Sequence, residues 1–204
     1  MKLYYASGAC ALSPQIVLRE SGLPFTLEQV TLKDHKVVKT GEDYYGINSK
    51  GAVPLLELDN GERLSEGVAI VQYIADKAPN ANLAPANGTW ERTRLQEMLN
   101  YITSELHKGL GLFFSGILQG EARDKWISAM TKKYAYIDEI LGKTPYLMGE
   151  KFSVADAYLY NVTRLCSYDA IKLDLSSFKN LQAFMQRMNQ RPSVQASLQA
   201  EGIA

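Results

Sequence analysis

Residues 51–74 read GAVPLLELDNGERLSEGVAIVQYI, and this stretch predicts a β-hairpin followed directly by a helix. Asn60 and Gly61 lie between two strand-like runs, residues 55–58 and 63–65, and this dipeptide between such runs is the strongest short-range hairpin signal. Apolar residues at helical spacing then follow from position 68 to position 74. A hairpin that leads into an amphipathic helix indicates part of a small α/β domain.

The residues before this stretch predict a strand, a helix and a second strand. Residues 2–5 form a short apolar run, and Ser13-Pro14 is typical of a helix start, with Ser13 as the N-cap and Pro14 in the first helical position. Gly22 suits the end of that helix, and residues 25–32 favour a strand because several of them are β-branched. With one optional helix before the hairpin, the predicted order is β-α-β-(α)-β-β-α within residues 1–80.

The second half of the chain predicts helices only. A short connection that contains Pro and Asn, residues 79–85, marks a domain boundary. Ser153 and Asp156 form a capping-box pattern, and the last predicted helix ends before Pro192. We therefore expect a helical bundle over residues 86–204. Its predicted helices span residues 90–110, 122–141, 153–166 and 178–190.

Charge and cysteine content exclude several classes of function. The 204 residues include 22 Lys and Arg and 22 Asp and Glu, so the formal net charge is +0 and offers no field for nucleic acids or anionic membranes. No apolar run approaches the ~20 residues of a membrane span, and we find no secretory signal. Two cysteines, Cys10 and Cys166, suggest neither a disulfide framework nor a structural zinc site. We expect a cytoplasmic protein with reduced thiols, no metal, and no nucleic-acid or membrane partner.

Cys10 is the first candidate for chemistry, because it follows a predicted strand and stands three residues before Ser13. The positive end of a helix dipole favours a thiolate, but at exposed sites this effect is worth only ~0.3–1 kcal/mol. One pKa unit is about 1.4 kcal/mol, so the dipole alone lowers the pKa of the thiol by less than one unit. Cys10 is therefore either a reactive thiol with a further donor or a small core residue. Cys166 is interpreted as a core residue.

Two motifs suit the recognition of a peptide or an amino acid. Val53 offers its backbone to an extended ligand if the bond to Pro54 is cis, whereas a trans proline would simply begin a strand. Ser65-Glu66-Gly67 opens a helix whose N–H groups suit a carboxylate, and the Glu66 side chain suits an ammonium group. The same three residues are equally well explained as a plain capping sequence.

A polar stripe lies on the long helix after the domain boundary. Asn100, Ser104 and His107 stand at i, i+4 and i+7, which places them on one face of an α-helix. This stripe either faces a cleft or is simply solvated.

Taken together, these motifs resemble the beta-class glutathione transferases of bacteria over nearly the whole chain. Each motif is modest alone, but the set in this order is highly specific. The matching segments are MKLYY (1–5), GAC (8–10), NSKGAVP (48–54), LSEGVAI (64–70), NYI (100–102), SELHK (104–108), FSVADAY (152–158) and RP (191–192).

The resemblance implies a thioredoxin-like α/β domain, an all-helical domain and a homodimer, with glutathione bound as co-substrate in the cleft between the domains. It implies that Cys10 contacts the glutathione sulfur and can form a mixed disulfide with it. The Val53 backbone, before a cis Pro54, would pair with the cysteinyl residue, and Glu66 with Gly67 would hold the γ-glutamyl end. The helical residues of the implied site, with His107 near the sulfur, are Asn100, Ser104, Glu105 and His107.

Three positions depart from the family's pattern or leave it ambiguous. Ala11 follows the cysteine where the family commonly has serine, and Gln15 stands where histidine is frequent. The loop after the second strand is one residue longer than usual, so the basic residue that meets the glycine carboxylate of glutathione is ambiguous. Lys36 is our choice, with His35 and Lys33 as alternatives.

The expected function is detoxifying conjugation. The enzyme would lower the pKa of the glutathione thiol and present the thiolate to small hydrophobic electrophiles in a pocket of the helical domain, with Cys10 and His107 beside the sulfur. Two alternatives stand beside it. A glutaredoxin-like thiol–disulfide reductase would use Cys10 in a one-thiol cycle, and a non-catalytic protein of this fold would bind hydrophobic ligands without glutathione.

Overall fold

The computed structural model describes all residues, 1–204, and the chain forms two compact units. Unit 1 comprises residues 1–84 and 191–204, and unit 2 comprises residues 85–190. The strands are β1 (Lys2–Tyr5), β2 (Thr26–Thr31), β3 (Lys36–Val37), β4 (Leu55–Glu57) and β5 (Arg63–Ser65). The helices are α1 (Leu12–Ser21), α2 (Gly67–Lys77), α3 (Trp90–Tyr101), α4 (Lys108–Phe114), α5 (Gly120–Leu141), α6 (Val154–Leu165), α7 (Lys179–Asn189) and α8 (Pro192–Glu201).

Unit 1 contains a mixed five-stranded sheet with the strand order β3-β2-β1-β4-β5. Strands β1 and β2 are parallel, and the other neighbouring pairs are antiparallel. The predicted hairpin is confirmed, because Leu55 pairs with Ser65 across β4 and β5. Its turn holds Gly61 at a φ of 84°, in the left-handed region that glycine adopts without steric cost.

The segment between β2 and β4 differs from the prediction. The optional helix there is wrong, because the chain forms the short strand β3, with Val37 opposite Val30, and then only a 3-10 turn over Tyr44–Gly46. Asp43 caps this turn by accepting a hydrogen bond from the Tyr45 N–H at 3.0 Å. Strand β3 has only two residues, which is too short to produce a readable alternation of polar and apolar positions.

Both faces of the sheet carry buried side chains. Tyr4 and Leu55, which are partners across β1 and β4, belong to a buried cluster that includes Tyr44. Side chains alternate along a strand, so Leu3 and its partner Leu56 point to the opposite face, and both are fully buried. Helix α2 packs on β4 and β5 and against α1.

The start of α1 corrects one prediction. The helix begins at Leu12, and Ala11 takes the N-cap position without a side-chain hydrogen bond. Ser13 is therefore not the N-cap: its hydroxyl lies inside the first turn, buried and without a hydrogen-bond partner. Pro14 is the third helical residue, two positions later than predicted, and it is tolerated there because first-turn N–H groups have no intrahelical acceptor. Gly22 ends the helix at a φ of 70°, as predicted.

Residues 191–204 belong with unit 1, whereas the predicted second domain ran from 86 to 204. Pro192, which was expected only to stop a helix, occupies the first turn of α8, where its missing N–H costs nothing. Helix α8 packs on α1. Arg191, at the N-cap of α8, forms an ion pair with Glu20 at 2.8 Å.

Unit 2 is entirely helical, as predicted, and α5, α6 and α7 confirm three of the expected helices. The helix predicted over 90–110 is longer, because α3 continues through a π-helical segment, Ile102–His107, into α4. Helix α6 lies at the centre of the bundle, and every residue of it except Arg164 is buried. None of the helices has the length and apolar composition needed to cross a membrane.

The predicted capping box of α6 is confirmed. The fully buried Asp156 carboxylate accepts hydrogen bonds from the Ser153 N–H, the Ser153 hydroxyl and the Leu147 N–H, each at 2.8 Å. These three donors replace the water that a buried charge loses. Asp156 thus ties the loop before α6 to the first turn of the helix.

We expect Asp156→Ala to lower the free energy of unfolding by about 3 kcal/mol, because the change leaves three buried donors without their charged acceptor. Urea denaturation followed by circular dichroism measures this loss. Asp124→Ala, which removes an exposed carboxylate from α5, is the matched control and should change stability by less than about 0.5 kcal/mol. Equal effects of the two substitutions would contradict a stabilising role for the capping box.

Candidate functional site

Cys10 lies in the loop between β1 and α1, two residues before the helix begins. Its half-buried thiol donates a hydrogen bond to the carbonyl oxygen of Val53, with Sγ and oxygen 2.9 Å apart. The peptide bond between Val53 and Pro54 is cis, as the resemblance implied. Because β1 and β4 are antiparallel, the loop after β1 lies beside the segment that enters β4, and this explains the contact.

The segment that precedes Val53 is held by two buried side chains. The Ala52 carbonyl oxygen accepts hydrogen bonds from the Tyr44 hydroxyl at 3.0 Å and from the Asn48 amide at 2.7 Å. Burial raises the pKa of Tyr44 to about 12, so its hydroxyl stays protonated and remains a donor at neutral pH. The backbone next to the Cys10 thiol is therefore fixed by the core of unit 1.

Glu66 has an unusual backbone conformation at the start of α2. Its φ is 70°, a left-handed value that is strained for a residue with a side chain, and such strain clusters at functional sites. Glu66 is the N-cap of α2, and Gly67 is its first helical residue. Pro54 lies against this point, because a Cβ on Gly67 would be 3.7 Å from its ring. Lys50 donates a hydrogen bond to the Glu66 carboxylate at 2.7 Å.

Three basic residues follow β2, and their surroundings differ. They are Lys33, His35 and Lys36. His35 has a left-handed φ of 51°, and its Nδ1 lies 3.1 Å from the Gly51 carbonyl oxygen. A Cβ on Gly51 would lie 2.6 Å from the Tyr45 ring and 3.0 Å from His35, so the close approach of these rings requires glycine. Lys33 and Lys36 are both exposed, and Lys36 lies on the edge strand β3.

The Cys10 loop also contacts a carboxylate that the sequence did not single out. Glu201, in the last turn of α8, accepts hydrogen bonds from the Gly8 N–H at 2.8 Å and from the Gln15 amide at 3.3 Å. The Ser7 hydroxyl donates to the Glu201 backbone carbonyl at 2.5 Å. Gly8 and Glu201 are 193 positions apart, so no local pattern links them. Gln15, the departure from the family's histidine, thus takes part in holding this loop.

In unit 2 the candidate residues lie on and beside the π-helical segment. The Lys108 N–H donates to the Thr103 carbonyl, five residues back, which widens the turn relative to an α-helix. The stripe predicted for Asn100, Ser104 and His107 assumes α-helical spacing, whereas residues 102–107 are π-helical. Asn100 and Ser104 are exposed, whereas His107 is half-buried. Single π-helical turns within α-helices are frequent at functional sites.

Glu105 is tied to α5 by Lys133. The two side chains form an ion pair at 2.8 Å, and Lys133 also donates to the Glu105 backbone carbonyl at 3.3 Å. The hydrogen bond from Lys133 lowers the pKa of Glu105, and the Ser104 hydroxyl donates to the same carboxylate at 3.3 Å. Lys133 thus orients Glu105.

His107 contacts a buried tyrosine. Its Nδ1 lies 2.8 Å from the hydroxyl oxygen of Tyr158 on α6. Burial lowers the pKa of His107 below its ordinary value of 6.5, and the neighbouring Lys108 lowers it further. The imidazole is therefore neutral at neutral pH.

Comparison with known proteins identifies the family. Residues 8–77 match the family model of the glutathione S-transferase N-terminal domain, and residues 118–201 match that of the C-terminal domain. The chain is 45% identical over 204 residues to the glutathione S-transferase GstA of Escherichia coli O157:H7, a match that covers 100% of both chains. The chain belongs to the glutathione S-transferase family.

Similarity to solved structures places this transferase in the bacterial beta class. A beta-class glutathione S-transferase from Sphingomonas chungbukensis is 41% identical, with a TM-score of 0.93 over 100% of each chain. A sphingomonad glutathione S-transferase in complex with glutathione is 40% identical, with a TM-score of 0.92 over 100% of each chain. The resemblance, the fold class and the enzyme class are thereby confirmed. The roles of single residues stay predictions.

The second cysteine of the transferase is a core residue, as interpreted from the sequence. Cys166 is 3% exposed, and its thiol donates to the Tyr134 hydroxyl at 3.2 Å. Burial raises the pKa of Cys166 to about 12. No group of three or more His, Cys, Asp or Glu side chains is arranged to hold a metal ion.

We expect iodoacetamide to alkylate the folded transferase once per chain, at Cys10. At a pKa of about 12, only about one Cys166 thiol in 10⁵ is ionised at neutral pH, and the thiolate is the reactive form. Intact mass spectrometry counts the added groups. Cys10→Ala should take up none while folded, and both cysteines of the wild type should react in denaturant. A second adduct on the folded wild type would contradict the burial of Cys166.

Proposed function

We propose that the transferase conjugates the thiolate of glutathione to small hydrophobic electrophiles. The observation that carries this proposal is the contact of the Cys10 thiol with the Val53 carbonyl, 2.9 Å away, next to the cis Pro54. This contact sets a sulfur ligand beside backbone groups that can pair with a short peptide. Glutathione is a peptide whose reactive group is a thiol, so one segment can hold both its backbone and its sulfur.

Glutathione would lie along this segment as an added strand. Its cysteinyl residue pairs with the Val53 backbone, and its γ-glutamyl carboxylate accepts from the N–H groups at the start of α2, where Gly67 is the first residue. The Glu66 carboxylate binds the γ-glutamyl ammonium group. Glu66 is 71% exposed and Lys50 is 56% exposed, so replacing their ion pair with the ammonium costs little free energy.

The glycine carboxylate of glutathione is better assigned to His35 than to Lys36, the choice made from the sequence. His35 Nδ1 lies 3.1 Å from the Gly51 carbonyl, two residues before Val53. Lys36 lies instead on the edge strand β3, paired with Thr31. Glutathione, bound as an added strand beside Val53, would extend its glycine residue past His35.

The helical residues assigned by the resemblance are also part of the proposal. Glu105, oriented by Lys133, and the exposed polar side chains of the π-helical region support a role in binding a polar peptide. His107 is proposed to lie beside the sulfur of glutathione. The complete helical set is Asn100, Ser104, Glu105 and His107.

In the reaction, the glutathione thiol gives up its proton to solvent and the thiolate attacks the electrophilic carbon. With an aryl halide, the carbon–sulfur bond forms, the carbon–halogen bond breaks, and halide leaves with the electron pair. Hydrogen-bond donors near the sulfur stabilise the thiolate and so lower the pKa of the thiol. The exposed apolar side chains of Phe114 and Ile117, 53% and 75% exposed, supply surface for the electrophile.

Thiol–disulfide exchange is a second candidate activity, and the half-buried Cys10 thiol favours it. The Cys10 thiolate would attack the glutathione sulfur of a disulfide that joins glutathione to another thiol, forming a mixed disulfide with glutathione and releasing the other thiol as its thiolate. A glutathione thiolate would then attack this mixed disulfide, which restores the Cys10 thiolate and releases oxidised glutathione. Ser13, which stands where two-cysteine enzymes carry their second thiol, is buried and cannot resolve the disulfide.

Cys10→Ser distinguishes the two activities. We expect the variant to keep a measurable part of its conjugation of a dinitro-substituted chlorobenzene, because no covalent bond to Cys10 forms, and to lose exchange entirely. Conjugation is followed by absorbance, and the mixed disulfide by intact mass after incubation with oxidised glutathione. Wild type should gain one glutathione per chain. A folded, glutathione-binding wild type that conjugates none of several reactive aryl halides would refute the proposed function.

We expect His35→Ala to raise KM for glutathione about tenfold and to leave kcat within about twofold, because a contact to the glycine carboxylate acts equally in the ground state and the transition state. Lys36→Ala is the matched control and should change KM by less than about twofold. Steady-state kinetics at varied glutathione concentration measures both. A larger rise in KM for Lys36→Ala than for His35→Ala would assign the glycine carboxylate to Lys36 instead.

We also propose that the transferase is a cytoplasmic homodimer. Trp90 and Tyr136, 69% and 46% exposed, support self-association, because aromatic side chains are enriched at protein interfaces.

A further inference from the structure

Tyr158 makes a specific contact with the imidazole of His107. The Tyr158 hydroxyl oxygen lies 2.8 Å from Nδ1, and the two rings meet edge to face with centroids 5.7 Å apart and an interplanar angle of 85°. Tyr158 is 4% exposed and stands two residues after Asp156, in the part of α6 that the capping box fixes. The tyrosine is therefore packed into the core of unit 2, whereas the histidine is only half-buried.

The direction of this hydrogen bond follows from the basicity of the two groups. An imidazole nitrogen has a pKa near 6.5, far above that of a protonated phenol, so it is the stronger acceptor, and the phenol is the stronger donor. The half-buried His107 ring is neutral, so it carries one proton and has one nitrogen able to accept. The Tyr158 O–H therefore donates to Nδ1, and the ring proton resides on Nε2.

We propose that Tyr158 is a positioning residue, which holds His107 in the tautomer that carries its proton on Nε2 and so makes the imidazole a hydrogen-bond donor. This inference rests on the proposed function, in which His107 lies beside the glutathione sulfur. An Nε2–H group stabilises a thiolate but cannot remove the proton from a thiol. His107 therefore acts as a donor to the sulfur, and the thiol proton leaves by another route.

The opposite tautomer would assign His107 a different role. With the proton on Nδ1, His107 would donate to the Tyr158 oxygen and Nε2 would hold a lone pair, as a general base requires. The two roles thus differ only in where one proton lies. Tyr158 decides between them because its hydroxyl faces the nitrogen that is turned into the bundle.

The chain contains only two histidines, which makes the tautomer directly measurable. Two-bond proton–nitrogen correlation spectra of nitrogen-15-labelled transferase show which ring nitrogen is protonated, and His35→Gln assigns the remaining signal to His107. We expect the Nε2–H form in the wild type and a mixture of both forms in Tyr158→Phe. Tyr160→Phe is the matched control, because it removes a buried hydroxyl of the same helix that bonds Asn189 at 2.6 Å, and it should leave His107 unchanged.

Kinetics provides the second readout. We expect Tyr158→Phe to lower kcat for aryl-halide conjugation about tenfold with KM for glutathione within about twofold, and Tyr160→Phe to leave both unchanged. An Nδ1–H signal for His107 in the wild type, or spectra unaltered by Tyr158→Phe, would overturn the inference. If the tautomer changes as expected but the wild type conjugates no electrophile, the proposed function fails while the positioning by Tyr158 stands.

Discussion

The antiparallel pairing of β1 with β4 is the constraint on which the rest of unit 1 depends. It sets Tyr4 opposite Leu55, so the loop that leaves β1 meets the segment that enters β4. Cys10 thereby reaches Val53, 43 positions later in the chain, and does so against a backbone that the core fixes at Ala52. Because the core holds both partners, the Cys10 thiol faces the Val53 segment, which is proposed to pair with glutathione, without a flexible element between them.

In unit 2, a buried helix and its capping box fix the residue that contacts His107. Its central helix α6 is buried almost throughout, and the Asp156 carboxylate anchors its first turn through three hydrogen bonds. Tyr158 leaves that anchored turn and contacts His107 on the π-helical segment. The residues that anchor the helix and the residue that contacts His107 therefore lie within one short stretch, residues 153–158. The wider π-helical turn is a local departure from regular helix geometry at the point where polar side chains gather.

The elements that the sequence predicted correctly depend on neighbours in the chain. The Asn60-Gly61 hairpin and the Ser153–Asp156 capping box each involve residues at most a few positions apart. The wrong predictions concern residues whose positions depend on packing between elements that are distant in the chain, and this packing outweighed their local preference. Ser13 is a good N-cap residue, yet it lies buried within the first turn of α1, and Pro192 begins a helix that packs on α1.

The sequence by itself determined the two-part fold, the family and the identity of most candidate residues, because helix caps, turns and ordered motifs are encoded over short stretches. Only the tertiary structure decided which of these residues meet. Glu201 reaches Gly8 across 193 positions, and His107 reaches Tyr158 across 51. Likewise His35, rather than Lys36, lies against Gly51. Such contacts depend on how whole strands and helices pack, and no periodicity or local preference records the distance between residues on different elements.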